Sequence, residues 1–365
     1  MEEFMVKRVL HFQGRMGLGG AETFMMNLYR KMDRSKVQFD FLIYKDFVSV
    51  KDYHKEVEKL GGRIFVVTNP KKNIFKYMLE VNRLLKEEKV DIVHNEVYFG
   101  GGINLWLAKI NGISKRIAHS HATEDGKGNS FMTRIVRMIF RKLLLANATD
   151  LLAVSNEAGE SLFGKREYVI VHNGIDLSKY DSPDNVSKKK KLKELGLDND
   201  SFVIGNIGRL ESQKNQAFLI DVFVEILRLK KNSKLIIVGE GSLRRSLEKK
   251  INDYGLTNSV FLLGERNDIP EILNTLDVFV MTSLYEGLPM VGIEAQASQK
   301  KLVLSNKISK ETELTSNVTF LSLNSPFSEW ARVICSEPFE NCFTDALKKY
   351  DVAYTLEQMK KVYDI

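Results

Sequence analysis

Short apolar runs alternate with helix-length segments along nearly the whole chain, and the alternation restarts after a basic stretch at 187–193. In the first half the apolar runs are KRVLHF (7–12), FDFLIY (39–44), RIFVV (63–67), DIVHN (91–95), RIAHSH (116–121), DLLAVS (150–155) and EYVIVHNG (167–174). In the second half they are SFVIGNIG (201–208), KLIIVGEG (234–241), SVFLLGE (259–265), DVFVMTS (277–283) and KLVLS (301–305). Runs of β-branched residues without a polar face are typical of parallel strands covered by helices on both sides.

This repeated pattern predicts an α/β protein of two doubly wound, Rossmann-like domains that face each other across a cleft. The length of 365 residues also exceeds the size at which one core usually stops growing. We place the first domain at 1–180 and the second at 181–351, with SKKKKLK (187–193) as a linker or the first turns of a surface helix. Ligands of such sheets bind at the carboxyl ends of the strands, so the loops there are the candidate sites.

The composition of the chain limits the cellular compartments and the binding partners that are compatible with it. Cys335 and Cys342 form no CxxC pair, which argues against disulfides or a cysteine zinc site and favours a reducing, cytoplasmic compartment. The first apolar run is too short for a signal peptide, and we find no uncharged apolar stretch of about 18 residues that predicts a membrane span. The net charge of +7 is compatible with anionic lipid, phosphorylated substrates or nucleic acid, but the common nucleic-acid-binding motifs are missing.

The segment SLYEGLPMVGIEA (283–295) follows a predicted strand and opens a helix. Pro289 fits the first helical turn, and Gly287 permits an unusual backbone conformation and close approach of a ligand. Glu286 then lies in the loop before the helix, and Glu294 lies within it. Free N–H groups at the helix start suit a diphosphate, and both carboxylates can accept hydrogen bonds from sugar hydroxyls. Either glutamate alone is better explained as a capping or solvated acid, but the combination, placed just after a strand, favours a ligand site.

The loop GRLESQKN (208–215) comes directly after another predicted strand. Gly208 allows a tight turn, and Arg209 and Lys214 bring two cations to one loop. Such cations can neutralise charge that grows on a leaving phosphate. The alternative is a surface loop whose cations are merely solvated.

In the first half, GRMGLGGAET (14–23) is a glycine-rich loop that opens a helix, where phosphate or sugar can approach the backbone. Glu22 stands at the third-glycine position of a dinucleotide fingerprint, which argues against that cofactor. Among six histidines, His119 and His121 lie two positions apart at a strand end. We expect them on opposite faces of the sheet, one facing the cleft and the other buried, and therefore a poor metal pair.

Two further patterns have competing explanations. The triplet Asp198-Asn199-Asp200 resembles a metal-binding DxD motif, but it precedes a strand and is better explained as a turn. The segment RIVRMIFRKLLL (134–145) places basic residues at helical spacing among apolar ones, so it fits either an anionic membrane surface or a core helix with one solvated edge.

Several ordered motifs together resemble glycosyltransferase family 4, the retaining enzymes of GT-B fold. They are GLGGAE (17–22), HSH (119–121), HNGID (172–176), GRL with KN three residues later (208–215), LLGERND (262–268) and EGLPMVGIE (286–294). The segments HSHAT and GGAETFMMNLY are similar in sequence to those of bacterial enzymes that build capsular or exopolysaccharide repeat units on lipid-linked sugars. One departure is ASQKKLVLS (297–305), where Gln299 and Lys300 replace a glycine and a small residue.

The resemblance implies a role for each matching residue. Arg209 and Lys214 are similar to the pair that clamps the donor diphosphate and stabilises the departing nucleotide. Glu294 is similar to the acid that binds ribose. Glu286 and His121 are similar to residues that contact the donor sugar. The remaining implied donor contacts are Gly19 and Gly20 over the phosphate, Gly264, Glu265 and Arg266 around the base, and Gly287, Leu288 and Pro289 at the helix start. The final helix, about 352–365, is expected to pack back on the first domain.

The resulting expectation is a metal-independent, retaining transferase without a bound cofactor, which moves a hexose, most simply from a UDP-sugar, to a saccharide or lipid-linked saccharide. The membrane association that a lipid-linked acceptor implies would be peripheral, at the inner face of the plasma membrane. A nucleotide-sugar epimerase would need acid/base groups on both faces of the sugar, and we find no such set. A non-catalytic nucleotide-sugar-binding subunit need not keep the four charged residues, and a redox enzyme is disfavoured by the broken fingerprint.

Overall fold

The computed structural model of the chain describes residues 6–17, 19–121, 130–180, 185–337 and 344–365. The chain forms two compact units: Met1–Ile175 with Lys349–Ile365, and Asp176–Lys348. The crossings from one unit to the other therefore fall within the HNGID segment, between Ile175 and Asp176, and just before the last helix.

The strands and helices follow the predicted alternation. The strands are β1 Lys7–Gly14, β2 Val37–Tyr44, β3 Ile64–Val67, β4 Ile92–Asn95, β5 Lys115–Ser120, β6 Asp150–Ala153, β7 Val169–Ile170, β8 Phe202–Ile207, β9 Ser233–Val238, β10 Val260–Leu262, β11 Val278–Met281, β12 Lys301–Ser305 and β13 Val318–Leu321. The helices are α1 Gly20–Lys31, α2 His54–Lys59, α3 Ile74–Glu87, α4 Gly101–Ile110, α5 Phe131–Asn147, α6 Asn156–Phe163, α7 Asn185–Glu194, α8 Gln216–Leu229, α9 Arg244–Asp253, α10 Ile269–Thr275, α11 Met290–Ala297, α12 Phe327–Cys335, α13 Asp345–Lys348 and α14 Val352–Tyr363. Short 3-10 helices cover Lys45–Phe47, Leu177–Tyr180, Ser212–Lys214 and Lys310–Thr312.

The first unit is built on a parallel sheet in the order β3-β2-β1-β4-β5-β6-β7. Because side chains alternate along a strand, β1 supplies two cores. Val9 packs with residues of α1 and α14, whereas Leu10 and Phe12 pack with residues of α3 and α4. Burial on both faces explains why the strands read as continuous apolar runs.

The last helix, α14, is part of the first unit. Val352, Met359 and Tyr363 are buried in the same core as Val9. A Cβ atom at Gly174 would lie 2.7 Å from the Cα of Val352, so the HNGID segment needs glycine where α14 begins. This part of the family motif therefore serves the fold.

The second unit repeats the arrangement with a parallel sheet in the order β10-β9-β8-β11-β12-β13. Ile204, Ile237 and Val280 from three neighbouring strands pack with α8 and with the buried Trp330 of α12. The strand β13 was not predicted, and the basic stretch 187–193 lies within helix α7. With its two parallel sheets, the chain is the predicted α/β protein.

Gln299 and Lys300, the two residues after α11 that depart from the family pattern, have defined conformations and contacts. Gln299 has a φ of +57°, the left-handed conformation that glycine adopts without strain. Lys300 donates from Nζ to the carbonyl of Asn274 at 3.1 Å, and burial lowers the pKa of its ammonium group to about 8. The backbone thus keeps the shape that glycine would give, with a non-glycine residue in it.

Candidate active site

The predicted donor residues of the second unit gather at the carboxyl ends of its strands. β8 and β11 are neighbours, and the chain continues from β8 towards one edge of the sheet and from β11 towards the other. Such a switch point leaves a crevice between the two following loops, which is where open α/β sheets bind ligands. The loops here are 208–215 after β8 and 282–289 after β11.

The loop 208–215 is fixed by close backbone packing. Gly239 has a φ of +134°, and a Cβ atom there would lie 2.2 Å from the carbonyl oxygen of Gly208. The backbone N–H of Leu210 donates to the carbonyl of Glu240 at 2.9 Å, and Gln216 Nε2 donates to that of Arg209 at 3.0 Å. The exposed Arg209 side chain therefore extends from a rigid turn.

Lys214 and Glu286, 72 positions apart, form the central contact of this region. Lys214 Nζ lies 2.5 Å from Glu286 Oε1, and the side chains are 15% and 12% exposed. Thr282 Oγ1 donates to the carbonyl of Asn215 at 2.9 Å, and the N–H of Leu284 donates to that of Gln213 at 2.8 Å. The structure thus joins the two loops that the sequence analysis singled out separately.

The helix start after Glu286 differs slightly from expectation. Pro289 is the N-cap residue, with α11 beginning at Met290, so the proline precedes the first turn instead of lying in it. Gly287 is not among the residues with a positive φ, so its backbone does not use the left-handed region that glycine permits. Gly287 and Leu288 remain partly exposed before the helix.

Glu294 is largely shielded from solvent, contrary to a solvated helix acid. Burial raises the pKa of its carboxyl group, and a hydrogen bond with the Tyr180 hydroxyl opposes this effect. Tyr180 belongs to the 3-10 helix Leu177–Tyr180 and is itself buried, which raises the pKa of its phenol well above the usual value. The sequence analysis missed Tyr180, which lies beyond the motif that ends at residue 176.

The segment Gly264 to Arg266 follows β10. Gly264 has a φ of +70°, and its carbonyl accepts from the N–H of Gly239 at 2.8 Å, which ties it to the turn after β8. Glu265 is exposed, but Arg266 donates two hydrogen bonds to Asp268, at 2.8 and 2.6 Å. The pair with Arg266 holds the pKa of Asp268 well below its usual range. The Arg266 side chain is therefore already engaged, and the exposed backbone of this segment remains for a ligand.

The acidic triplet at 198–200 lies before the amino end of β8, at the opposite end of the strand from the candidate site. The N–H of Ser201 donates to the carbonyl of Asp198 at 3.2 Å, which closes a turn before β8. Because Arg209 and Lys214 follow the carboxyl end of β8, the length of this strand separates the triplet from them.

In the first unit, the predicted arrangement of His119 and His121 was wrong. Residues two apart in a strand share a face, and the two ring centroids lie only 4.1 Å apart. His119 is fully buried, and the His121 side chain is 9% exposed. The residues that follow, 122–129, lie outside the described ranges, including the end of the HSHAT segment.

The sequence analysis also missed Glu96, the fully buried centre of a polar cluster. Its carboxylate accepts hydrogen bonds from His11 Nδ1 at 2.8 Å and Gln13 Nε2 at 2.6 Å, and His121 Nε2 lies 3.2 Å away. His94, two residues before Glu96 on β4, continues the cluster. Strand alternation could have located it, because 11 and 13, 94 and 96, and 119 and 121 are three i, i+2 pairs at the ends of adjacent strands.

His11, His94 and Glu96 offer ligand atoms that all lie within 4.8 Å of one another, so a metal ion is a formal candidate. Most of their polar atoms are, however, engaged within the cluster: His11 Nδ1 with Glu96, and both His94 nitrogens with Tyr363 and His119. His11 Nε2 has no hydrogen-bond partner among the described residues. The arrangement is a hydrogen-bonded network, and a metal ion would have to break it.

The glycine loop of the first unit leads into α1. Gly19 is the N-cap residue, and a Cβ atom there would lie 2.2 Å from Glu22 Oε2, so a larger residue would have to displace this carboxylate. Arg15 Nε donates to the other oxygen of Glu22 at 2.9 Å. A Cβ atom at Gly20 would meet nothing within 4 Å, which leaves open space beside the helix start.

Comparison with known proteins assigns these features to an enzyme class. Residues 18–179 match the family described as Glycosyltransferase Family 4, and residues 187–319 match Glycosyl transferases group 1. The chain is 36% identical to a protein named as the glycosyltransferase EpsF of Bacillus subtilis, over 98% of this chain and 97% of that one. It is 32% identical to the UDP-Gal:alpha-D-GlcNAc-diphosphoundecaprenol alpha-1,3-galactosyltransferase of Escherichia coli, over 82% and 79%.

The fold is shared with solved structures. HepE of Anabaena, crystallised with UDP, aligns over 99% of this chain and 100% of its own with a TM-score of 0.79 and 21% identity. The likeness to HepE gives the fold of the two parallel α/β units as GT-B, and the family matches give the class of protein as glycosyltransferase. The chain belongs to glycosyltransferase family 4.

No helix in the described part of the chain is both long and apolar enough to cross a bilayer.

Proposed function

We propose that this chain is a retaining, metal-independent transferase that moves a hexose from a UDP-sugar to a saccharide acceptor. The observation that carries the proposal is the contact between Lys214 and Glu286 at the switch point of the second unit, beside the rigid turn that bears Arg209. The UDP complex of HepE, a protein of the same fold, supports uracil as the base.

In the proposed reaction the bond between the sugar C1 and the diphosphate oxygen breaks, and a bond from C1 to the acceptor oxygen forms on the same face. The proton of the acceptor hydroxyl passes to an oxygen of the departing diphosphate. Arg209 and Lys214 neutralise the charge that grows there, a task that other enzymes give to a metal ion. Lys214 must then exchange part of its contact with Glu286 for the phosphate.

The remaining residues bind the donor. We assign Glu294 to the ribose hydroxyls, Glu286 to the donor sugar and the backbone of 264–266 to the base. Free N–H groups at the start of α11 suit the diphosphate. Gly19, Gly20 and His121 of the first unit are assigned to the phosphate and the donor sugar.

For the acceptor we propose a lipid-linked saccharide of capsular or exopolysaccharide assembly. The E. coli relative is named for an acceptor on diphosphoundecaprenol, and it resembles this chain over most of its length. Such an acceptor requires the enzyme to work at a membrane surface.

Helix α5 offers a surface for peripheral membrane contact. Five of its apolar side chains are between 40 and 79% exposed: Phe131, Met132, Val136, Met138 and Ile139. At 100° per residue, the exposed Arg134 and Lys142 fall on the same outward face, and the helix carries no acid. An apolar face with basic residues and no acids fits the headgroup region of an anionic membrane.

A thermal-shift panel tests the donor. We expect a UDP-sugar to raise the melting temperature and to do so equally in EDTA, because the phosphate would be held by Arg209 and Lys214. At 100 times the dissociation constant, bound ligand stabilises a folded protein by about 2.7 kcal/mol. Stabilisation by NAD alone, or one that EDTA abolishes, would contradict the proposal. NMR of the product anomer tests retention, and sugar epimerisation without an acceptor would favour the epimerase.

Vesicle flotation tests the α5 surface. We expect the wild-type chain to float with anionic phosphatidylglycerol vesicles at low salt, and the variant Phe131→Ser/Ile139→Ser to bind at least about tenfold more weakly, because burying each large apolar side chain contributes roughly 1.5–3 kcal/mol. The matched control is Leu229→Ser, which removes a side chain that is 54% exposed in the second unit. Equal binding of all three proteins would exclude α5 as the membrane contact.

A further inference from the structure

Glu96 occupies the switch point of the first sheet. β1 and β4 are neighbours there, and Glu96 is the first residue after β4. Its side chain has no exposed surface. Burial opposes ionisation of this carboxyl group, but the hydrogen bond from His11 and the nearby His121 ring outweigh it and lower the pKa to about 2. The cluster therefore contains a permanent buried negative charge.

An ionised carboxylate only accepts hydrogen bonds, so each nitrogen that faces it favours the protonated form. This places a hydrogen on His11 Nδ1, 2.8 Å from Oε1, and on His121 Nε2, 3.2 Å from Oε2. The second contact is electrostatic and is not aligned as a full hydrogen bond. Of the two tautomers that a neutral His121 ring can adopt, the charge of Glu96 favours the one with its proton on Nε2, which faces the carboxylate.

In that tautomer, Nδ1 of His121 is a hydrogen-bond acceptor. It is buried and has no hydrogen-bond partner among the residues that the structure describes. A buried polar atom of this kind normally has a partner, because leaving it without one is costly. A hydroxyl group of a bound sugar is a donor of the right chemistry.

A second chain of hydrogen bonds beside Glu96 is uncharged. Tyr363 Oη lies 2.7 Å from His94 Nδ1, and His94 Nε2 lies 3.1 Å from His119 Nδ1. Burial lowers the pKa of His94 to about 3 and that of His119 well below its usual value, so both rings are neutral near pH 7. This chain packs against the Glu96 cluster and provides a control from the same core.

We propose that Glu96 is a positioning residue, which holds the Nε2-bound proton of His121 and so keeps Nδ1 free to accept a hydrogen bond from a hydroxyl of the donor sugar. The assignment of His121 to the sugar rests on the proposed function. The tautomer that Glu96 imposes on His121 is a property of the chain itself.

The first test measures the tautomer directly in the wild-type chain with ¹⁵N-labelled histidine. Long-range ¹H–¹⁵N correlation spectra distinguish the two neutral forms, and the signals of His121 are identified by their loss in His121→Asn. We expect hydrogen on Nε2 in the wild type and a shift towards Nδ1 in Glu96→Gln, whose amide group can itself donate. Hydrogen on Nδ1 in the wild type would overturn the proposal. This result needs no activity, and the only variant that it requires to fold is His121→Asn, which identifies the signals.

The second test is a double-mutant cycle in the transfer assay. We expect Glu96→Gln to lower kcat by about 10- to 100-fold with little change in the donor KM, as is typical when a partner that orients a functional histidine is lost. In the His121→Ala background the same change should alter kcat by less than about twofold, because coupled residues are not additive.

Tyr363→Phe is the matched control, since it breaks the uncharged chain in the same core. It should lower the melting temperature without changing kcat. An equal loss of kcat from Glu96→Gln in both backgrounds, or the same loss from Tyr363→Phe, would show that Glu96 acts only through the fold. If the wild-type chain transfers no sugar, the proposed function fails. The NMR measurement of the His121 tautomer then still tests whether Glu96 positions the proton of His121.

Discussion

Replacement of Lys214 by alanine is expected to lower kcat by about 10²- to 10³-fold while the chain stays folded. Loss of one preorganised group that stabilises developing charge typically has an effect of this size. The ammonium group is held in place by the contact with Glu286 and by packing of its stem, since a Cβ atom at Gly208 would lie 3.1 Å from Lys214 Cε. The measurement is UDP release with donor and acceptor, with circular dichroism to verify folding.

Lys249→Ala is the matched control for Lys214→Ala, because it makes the same chemical change in the same unit. Lys249 is 75% exposed and pairs with Asp253 on the surface of α9. Such surface pairs contribute little to stability, so its activity should equal that of the wild type. If Lys214→Ala retained activity within about threefold of Lys249→Ala, the proposed stabilisation of the leaving diphosphate would be wrong.

The fold was predictable because its signals are local. Buried parallel strands read as continuous apolar runs, and most of them were located to within a few residues. β13 was missed because Val318–Leu321 is short and only partly buried. The packing of α14 on the first unit followed from the family resemblance alone, since periodicity does not indicate which core a terminal helix joins.

The site was predictable where its residues follow a strand directly. Arg209 and Lys214 lie in one short loop, and Glu286 precedes one helix, so chain order already places them at strand ends. Glu96 and Tyr180 escaped notice because their roles depend on partners far away in the sequence. Glu96 is contacted by His11 and Gln13 of β1 and by His121 just after β5, and Tyr180 meets Glu294 across 114 positions.

The conservative change Glu294→Gln is expected to have opposite effects on donor affinity and on stability. If Glu294 binds the ribose hydroxyls, loss of its charge removes charge-assisted hydrogen bonds, which contribute about 1.5–3 kcal/mol each. The affinity for UDP should therefore fall by about 10- to 100-fold, measured by calorimetry.

The stability effect follows from the raised pKa of Glu294 in the folded chain. A group with a raised pKa favours folding below its unfolded value, about 4.3, and loses that contribution as the pH rises through the folded value. Ionised Glu294 thus weakens the ligand-free fold near pH 7, and glutamine, which never ionises, should raise the melting temperature there but not at pH 4. Glu271→Gln, an exposed glutamate on α10, is the control and should change neither property. Unchanged UDP affinity in Glu294→Gln would remove this residue from the donor site, whereas a melting temperature lowered at pH 7 would mean that the carboxylate stabilises the ligand-free protein.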